Sequence, residues 1–381
     1  LCIARILFKA NFKVQIYLSD QPENLSEDAQ IYFKKLEVYP HLFVQEIPDN
    51  LPANTLIIDA LFGIGLNKAL SEKYRSIINK INALNNKRIS IDIASGLSPN
   101  LDPQNIFACF VHAHTVLSFM QPKLSFFLPE KASQMWEFEI IDIGLNSKFY
   151  LNNSSQFNYI TFNSLAGYLP KREKISHKGN FGKAFLFGGS SGMAGALTFS
   201  AWAASRSGLA LGFICSSASQ ENLFQKLVPD FMFKSIEDLD LNQITDSYHL
   251  IGPGLGQSSQ TKELVQKIIN LNKPIIIDAD ALNIIGAENM LDMIPENSVI
   301  TPHIKEFDRL FGQSDNFSQR IIKAQQFSSR KGIFIVLKNF RTFIFAPNGD
   351  IFINSTGAPS LAKGGSGDVL AGCILGLINQ N

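Results

Sequence analysis

The strongest constraint on this chain is a repeated pattern: a short apolar run that ends in an acid or a glycine turn and leads into a segment with helical spacing. It occurs as LIIDALFGIGL (56–66), RISIDIASGL (88–97), KAFLFGG (183–189), HLIGPGLG (249–256) and PIIIDADALNII (274–285). A strand wet on one face alternates apolar and polar residues, whereas runs apolar throughout belong to strands covered on both faces. Between the runs, segments such as EKYRSIINKINALNN (72–86) carry apolar residues at helical spacing: Tyr74, Ile77, Ile78, Ile81 and Leu84. Strands joined through helices pair in parallel. The expected class is therefore α/β, with two three-layer αβα domains, the first a doubly wound sheet. Ligands of such sheets bind at the carboxyl ends of the strands. That edge receives Asp59 with Gly63 and Gly65, Asp92 with Ser95 and Gly96, and the acids Asp278 and Asp280.

A length of 381 residues suits two domains, each with its own core. The expected bounds are 1–150 and 160–381, joined by the Asn- and Ser-rich stretch 147–159. In the first half, 12–20 reads as a strand and 25–39 as a helix; in the second, 341–354 reads as a hairpin turning at Asn348-Gly349. A formal net charge of +1 offers no electrostatic ground for a nucleic-acid or acidic membrane partner. No run reaches the roughly 18 apolar residues of a membrane span, and no signal peptide is visible. Cys2, Cys109, Cys215 and Cys373 lie far apart in apolar contexts, as reduced thiols of a cytoplasmic protein do. His112 and His114 lack a third metal ligand nearby and read as structural. The chain opens in mid-helix at LCIARILFKA and closes at GLINQN, the expectation for a piece of a longer protein. A homo-oligomer is left open.

The stretch LAKGGSGDVLAGCILGLI (361–378) places a loop of Gly364, Gly365, Ser366 and Gly367 directly before Asp368 and an apolar helix. A glycine loop at a helix start gathers free N–H groups and the positive end of the helix dipole around one point, where an anion is stabilised. A carboxylate there has two readings. It is a base that takes a hydroxyl proton while the amides steady a transferring phosphoryl group, or it caps the helix. Lys178, in the loop HKGNFG (177–182), reads either as a phosphate contact or as a solvated lysine.

Two segments of the first half, DALFGIGL (59–66) and DIASGL (92–97), resemble the epimerase domain of the NAD(P)H-hydrate repair enzymes. The resemblance implies a Rossmann-like sheet. It implies that Asp59 and Ser95 ligate potassium, and that Gly63, Ile64, Gly65, Leu66, Asn67, Lys68, Ala69 and Asp92 hold the hydrated nucleotide. Ala94 stands where that family has proline, and SPNLDPQN replaces its acidic-glycine segment.

The second half carries HKGNFG, GGSSGMAGA, GPGLG, DADALN, TPH and NSTGAPSLAKGGSGDVLAG (354–372) in this order. Together they resemble the ADP-dependent NAD(P)H-hydrate dehydratase domain, a ribokinase-like fold. What the resemblance implies is phosphorylation of the hydrate's hydroxyl by ADP or ATP with Mg2+, then elimination to NADH or NADPH with release of AMP and phosphate when ADP is the donor. Asp368 would be the base; Ala196, Gly254 and His303 would contact the hydrate. Lys338, Asn339, Phe340, Arg341 and Thr342, with Gly365, Ser366 and Gly367, would hold the adenine nucleotide. The family's glycine after Lys338 is here Asn339, and Arg341 is placed to compensate through a phosphate. Asp278 and Asp280 also read as plain turn acids, His303 as a core histidine and Ala196 as helix packing. Other function classes are a small-molecule kinase that keeps its phosphorylated product and a nucleotide-binding regulator.

Overall fold

A computed structural model describes residues 1–381 except 136, 147, 149–154, 166, 169–172, 242–243, 245–246 and 381. The chain divides into two compact units, 1–152 with 316–318, and 153–315 with 319–381.

In the first unit, β1 (Ile16–Tyr17) and β2 (Phe43–Val44) form a parallel pair. A separate parallel sheet takes β3 (Ile57–Asp59), β4 (Arg88–Ile91), β5 (Thr115–Phe119) and β6 (Glu137–Ile141) in chain order. The helix Glu72–Ala83 follows β3 and buries Ile77, Ile78 and Ile81, as its spacing demands. They pack with Leu70 and Val111. A second cluster joins Ile93, Ala94, Leu97, Phe110, Val116 and Phe126 beneath the loop that follows β4. Two expected elements are shorter than their apolar stretches. Strand 12–20 narrows to Ile16–Tyr17, the only residues that find a partner strand. Helix 25–39 stops at Lys34 in a series of turns, with Tyr39 N donating to Leu36 O, ahead of Pro40. The residue before a proline is pushed out of helical geometry, and the segment closes early.

The second unit holds one ten-stranded sheet: β7 (Phe157–Ile160), β8 (Lys183–Phe187), β9 (Leu211–Ser216), β10 (Met232–Ser235), β11 (His249–Ile251), β12 (Ile275–Ile277), β13 (Val299–Ile300), β14 (Phe334–Leu337), β15 (Phe343–Phe345) and β16 (Ile351–Asn354). Their spatial order is β10-β9-β8-β11-β12-β13-β14-β15-β16-β7. The chain winds outward from β8 in one direction and from β11 in the other, so β8 and β11 flank a topological switch point. The hairpin β15–β16 forms antiparallel as its Asn-Gly turn predicts. Of the expected linker, Phe157, Asn158 and Tyr159 instead pair with β16, because Phe and Tyr are strand formers that gain a sheet edge; residues 147 and 149–154 of it lie outside the described residues. The core of this unit joins Leu186, Leu197, Ile214, Leu250, Ile276 and Leu375 across the sheet and its covering helices. No helix among the described residues is long and apolar enough to cross a membrane.

Candidate functional site

The terminal helix, Ser366–Ile378, starts at the carboxyl edge of the second sheet. It lies so close to helix Ala194–Arg206 that a Cβ at Gly372 would stand 2.1 Å from Ser200 O, and one at Gly376 2.5 Å from Ala204 O. Only glycine permits that approach, and it is what holds the helix start in place. Gly365 is the N-cap residue at φ +89, and a Cβ there would meet the Phe199 ring at 2.8 Å. No side chain caps this helix. The capping reading of Asp368 therefore falls: it sits in the first turn, and among the described residues no donor hydrogen-bonds its carboxylate. Ser200 Oγ instead donates to its carbonyl (2.9 Å).

Charges that follow β12 and β14 act on Asp368. Burial first, then Asp278 and Asp280, push its carboxyl up to about 6, with Lys338 acting the other way. A carboxyl at that value is mostly ionised at neutral pH yet basic enough to accept a proton. Asp278 follows β12 and is 1% exposed. Its Oδ1 accepts from Thr301 Oγ1 (2.7 Å) and Lys338 Nζ (2.9 Å). Lys338 follows β14, its N–H donating to Pro302 O (2.9 Å). Its Nζ lies only 3.4 Å from where a Cβ of Gly367 would stand, so the ammonium rests against the glycine loop. Asp280 Oδ2 accepts from Gly256 N (2.9 Å), tying down the loop after β11. His303 is the N-cap of helix Ile304–Phe311: its Nδ1 accepts from Glu306 N, while Glu306 Oε2 accepts from His303 N (2.8 Å). That reciprocal pair leaves the His303 side chain about half exposed, 48%, with Nε2 3.5 Å from Glu306 Oε1. The core-histidine reading falls with it. At the switch point Gly254 has φ +60, and its Cβ would meet Met193 O at 2.4 Å and Ala196 Cβ at 3.2 Å. The two positions expected to touch one ligand are thus neighbours.

Arg341 Nη1 donates to the carbonyls of Ser355 and Gly357, bracing the loop after β16, which leaves the Nη2 and Nε donors of the guanidinium for a phosphate. Phe340 is exposed at 43%. Asn339 Oδ1 accepts from Phe340 N, and Asn339 Nδ2 and Ser366 Oγ are buried without a hydrogen-bond partner among the described residues. Buried polar atoms are nearly always satisfied, by protein, water or a ligand. Ser200 lies in no motif that points to the site, whereas Thr301, Glu306 and Asp278 stand in strand-end motifs. Their signal lay in the motifs TPH and DADALN, but their partners are set by topology.

The first unit builds a different arrangement. Asp59, 2% exposed, ends β3. Its Oδ2 accepts from Ser90 Oγ (2.7 Å) and Ser95 N (2.9 Å), and its Oδ1 from Ser95 Oγ (2.5 Å) and Leu61 N (3.3 Å). Ser95 Oγ in turn accepts from Phe62 N (2.9 Å). Burial raises the Asp59 pKa against the pull of these bonds. Four donors occupy the lone-pair positions of this carboxylate, and Ser95 is turned toward it. As arranged, the pair does not present the free oxygens a potassium ion requires. Asp92 has φ +67 and accepts at Oδ1 from Lys123 Nζ (2.9 Å) and Phe119 N (3.2 Å). Gly63, Ile64, Gly65, Asn67, Lys68 and Ala69 are exposed, while Leu66 is half-buried and packs with Tyr74 and Phe62. His114 Nδ1 accepts from Arg88 N, a structural role as expected. Among the described residues no group of three or more His, Cys, Asp or Glu is arranged to hold a metal.

Known proteins match both units. The family described as NAD(P)H-hydrate dehydratase matches residues 184–381, and the one described as YjeF-related protein N-terminus matches 1–125. A bifunctional NAD(P)H-hydrate repair enzyme of Moorella thermoacetica is 30% identical, over all of this chain and 76% of its own. One of Escherichia coli K12 is 31% identical over 85% of this chain and 63% of its own. Among solved structures, a ribokinase-like protein of Enterococcus faecalis (TM-score 0.55, 29% identity) covers 60% of this chain and 82% of its own. The ADP/ATP-dependent NAD(P)H-hydrate dehydratase of Bacillus subtilis, crystallised with ATP/Mg2+ (TM-score 0.50, 30% identity), covers 59% and 82%.

Proposed function

The chain belongs to the NAD(P)H-hydrate dehydratase family, and on that premise we propose that the Gly365 loop and Asp368 are where a hydrated NADH or NADPH is dehydrated at the expense of ADP. It carries the dehydratase and epimerase domains of the bifunctional repair enzymes. The observation that carries the reading is Asp368: a carboxyl held up to about 6, unbonded, in the first turn of the helix that the glycine loop opens.

Water added to the nicotinamide ring leaves a hydroxyl, a poor leaving group. Asp368 takes the hydroxyl proton; the oxygen bonds to the terminal phosphorus of ADP as the bridging P–O bond breaks and AMP departs. The amides of residues 365–367 and the Lys338 ammonium hold the charge spread over the phosphoryl oxygens. Loss of phosphate together with a ring proton restores the double bond of the reduced dinucleotide. Ala196 and Gly254 line the hydrate side, the half-exposed His303 side chain stands at its rim, and the segment from Lys338 to Thr342 takes the nucleotide. Magnesium arrives with the nucleotide as part of the substrate. In the first unit, Asp92 and the loop 63–69 are the candidate contacts for hydrate epimerisation. The four cysteines are free thiols, which suits a reducing compartment, and we place the enzyme in the cytoplasm. Its partner is the small-molecule hydrate.

The test incubates hydrated NADH with ADP and magnesium and follows the reduced-nicotinamide absorbance. Its return, with AMP and phosphate formed in equal amounts, is expected. Consumption of nucleotide without that return identifies a kinase instead.

A further inference from the structure

Resting on the dehydratase reading, we infer that Asp278 is a positioning residue that holds the Lys338 ammonium against the glycine loop, where it engages the terminal phosphoryl group of the donor. Three observations lead there. Asp278 is 1% exposed, so its charge is not spent on water. Its Oδ1 accepts from both Thr301 Oγ1 (2.7 Å) and Lys338 Nζ (2.9 Å), an anchor on one side and a cation on the other. The Lys338 ammonium meanwhile rests against Gly367, 3.4 Å from the position a Cβ would take, with Glu306 Oε2 a further 4.0 Å contact.

A lysine is a point charge on a flexible four-carbon stem and holds no geometry by itself. Fixed at one end by the backbone bond to Pro302 O and at the other by a buried carboxylate, its charge stays at one place. The carboxylate is fixed in turn by the Thr301 hydroxyl and by Asp278 N, which donates to Ile251 O (3.1 Å). Lys338 has two remaining ammonium protons, and the helix N-terminus beside it faces the same space. An anion placed there receives both. AMP lacks the group that would occupy this position, so the pair should govern how strongly ADP is preferred over AMP.

The experiment titrates ADP and AMP, each with magnesium, into the full chain and into D278N, K338M and the double variant, alongside thermal melts. A charge-assisted contact of this kind corresponds to a loss of about 10-fold in the ADP-over-AMP preference. K338M is expected to lose that factor, D278N a comparable one, and the double variant no more than K338M alone, since Asp278 acts through the lysine. A merely structural aspartate would weaken both nucleotides together or only lower the melting temperature, and either result overturns the inference. So does a double variant whose losses multiply. Should D278N fail to fold, T301V replaces it: a loss of about 3-fold that vanishes in the K338M background supports the inference, and a loss that persists there refutes it. These are equilibrium measurements and need no turnover. Failure of the dehydratase reading shows separately, as no return of nicotinamide absorbance in the unaltered chain.

Discussion

Two aspartates stand at the carboxyl ends of parallel sheets, one in each unit, and their surroundings give them opposite roles. Asp59 accepts four hydrogen bonds from Ser90, Ser95 and Leu61 and is 2% exposed. Asp368 accepts none among the described residues and faces Asp278, Asp280 and Lys338. Burial raises the pKa of both, yet only one is able to use it. A carboxylate whose lone pairs are taken holds a loop together; one left unbonded beside free amides is available to a proton. Chemical opportunity resides in unsatisfied groups, and motif likeness alone does not distinguish them.

The comparison is broken most severely if Asp368→Asn leaves dehydration intact. Expected is a loss of about 10²- to 10⁴-fold in turnover, the range for removing a general base, with ADP affinity retained in a titration. The pH profile sharpens the same point. The base works ionised, so kcat should climb as pH rises through about 6 and then level. A flat profile down to pH 5 rejects the assignment. The sign for stability is opposite. A folded-state pKa above the unfolded value favours the protonated form in the fold, so this group's contribution to stability is lost as pH rises through about 6. Asp368→Asn should therefore melt higher than the parent at pH 8, by on the order of 1 kcal/mol after solvent screening.

Asp59→Asn tests the other side. It replaces an acceptor-only group with an amide that donates toward Ser90 or Ser95, leaving buried donors unpaired. The expected cost is about 2–3 kcal/mol in the unfolding of the first unit, read by denaturant titration. A neutral result would show that this hydrogen-bond cluster is not what holds the β3–β4 edge.

The two glycine loops provide the smallest contrast. Gly365→Ala forces a side chain into left-handed backbone and onto the Phe199 ring, and should cost about 1–3 kcal/mol. Gly63→Ala meets nothing within 4 Å and should change stability by less than about 0.5 kcal/mol. Equal effects would erase the distinction between a loop shaped by packing and one open to a ligand.

Much of the fold was legible because it depends on local pattern. Apolar runs ending in Asp59, Asp278 or Gly188 mark strands and their loops. Ile77, Ile78 and Ile81 mark a buried helix face, and Asn348-Gly349 marks a hairpin. Where apolar content exceeded what neighbouring strands could pair, as in 12–20, the reading was too long. Phe157 and Tyr159 read as linker because the Asn and Ser before them outweigh two strand formers. Arg341 Nη1 also braces the carbonyls of Ser355 and Gly357, and no sequence spacing announces that.

What the sequence determined by itself was the parallel α/β plan, the glycine loop and the identity of the acid that follows it, since these depend on side-chain period, backbone freedom and adjacency. Only the tertiary structure decided which acids are occupied and which are free. Asp278 meets Lys338 from 60 residues away, and Asp59 meets Ser95 from 36. Such pairings follow from the order in which strands are laid into a sheet, and that order is settled by the packing of the whole unit.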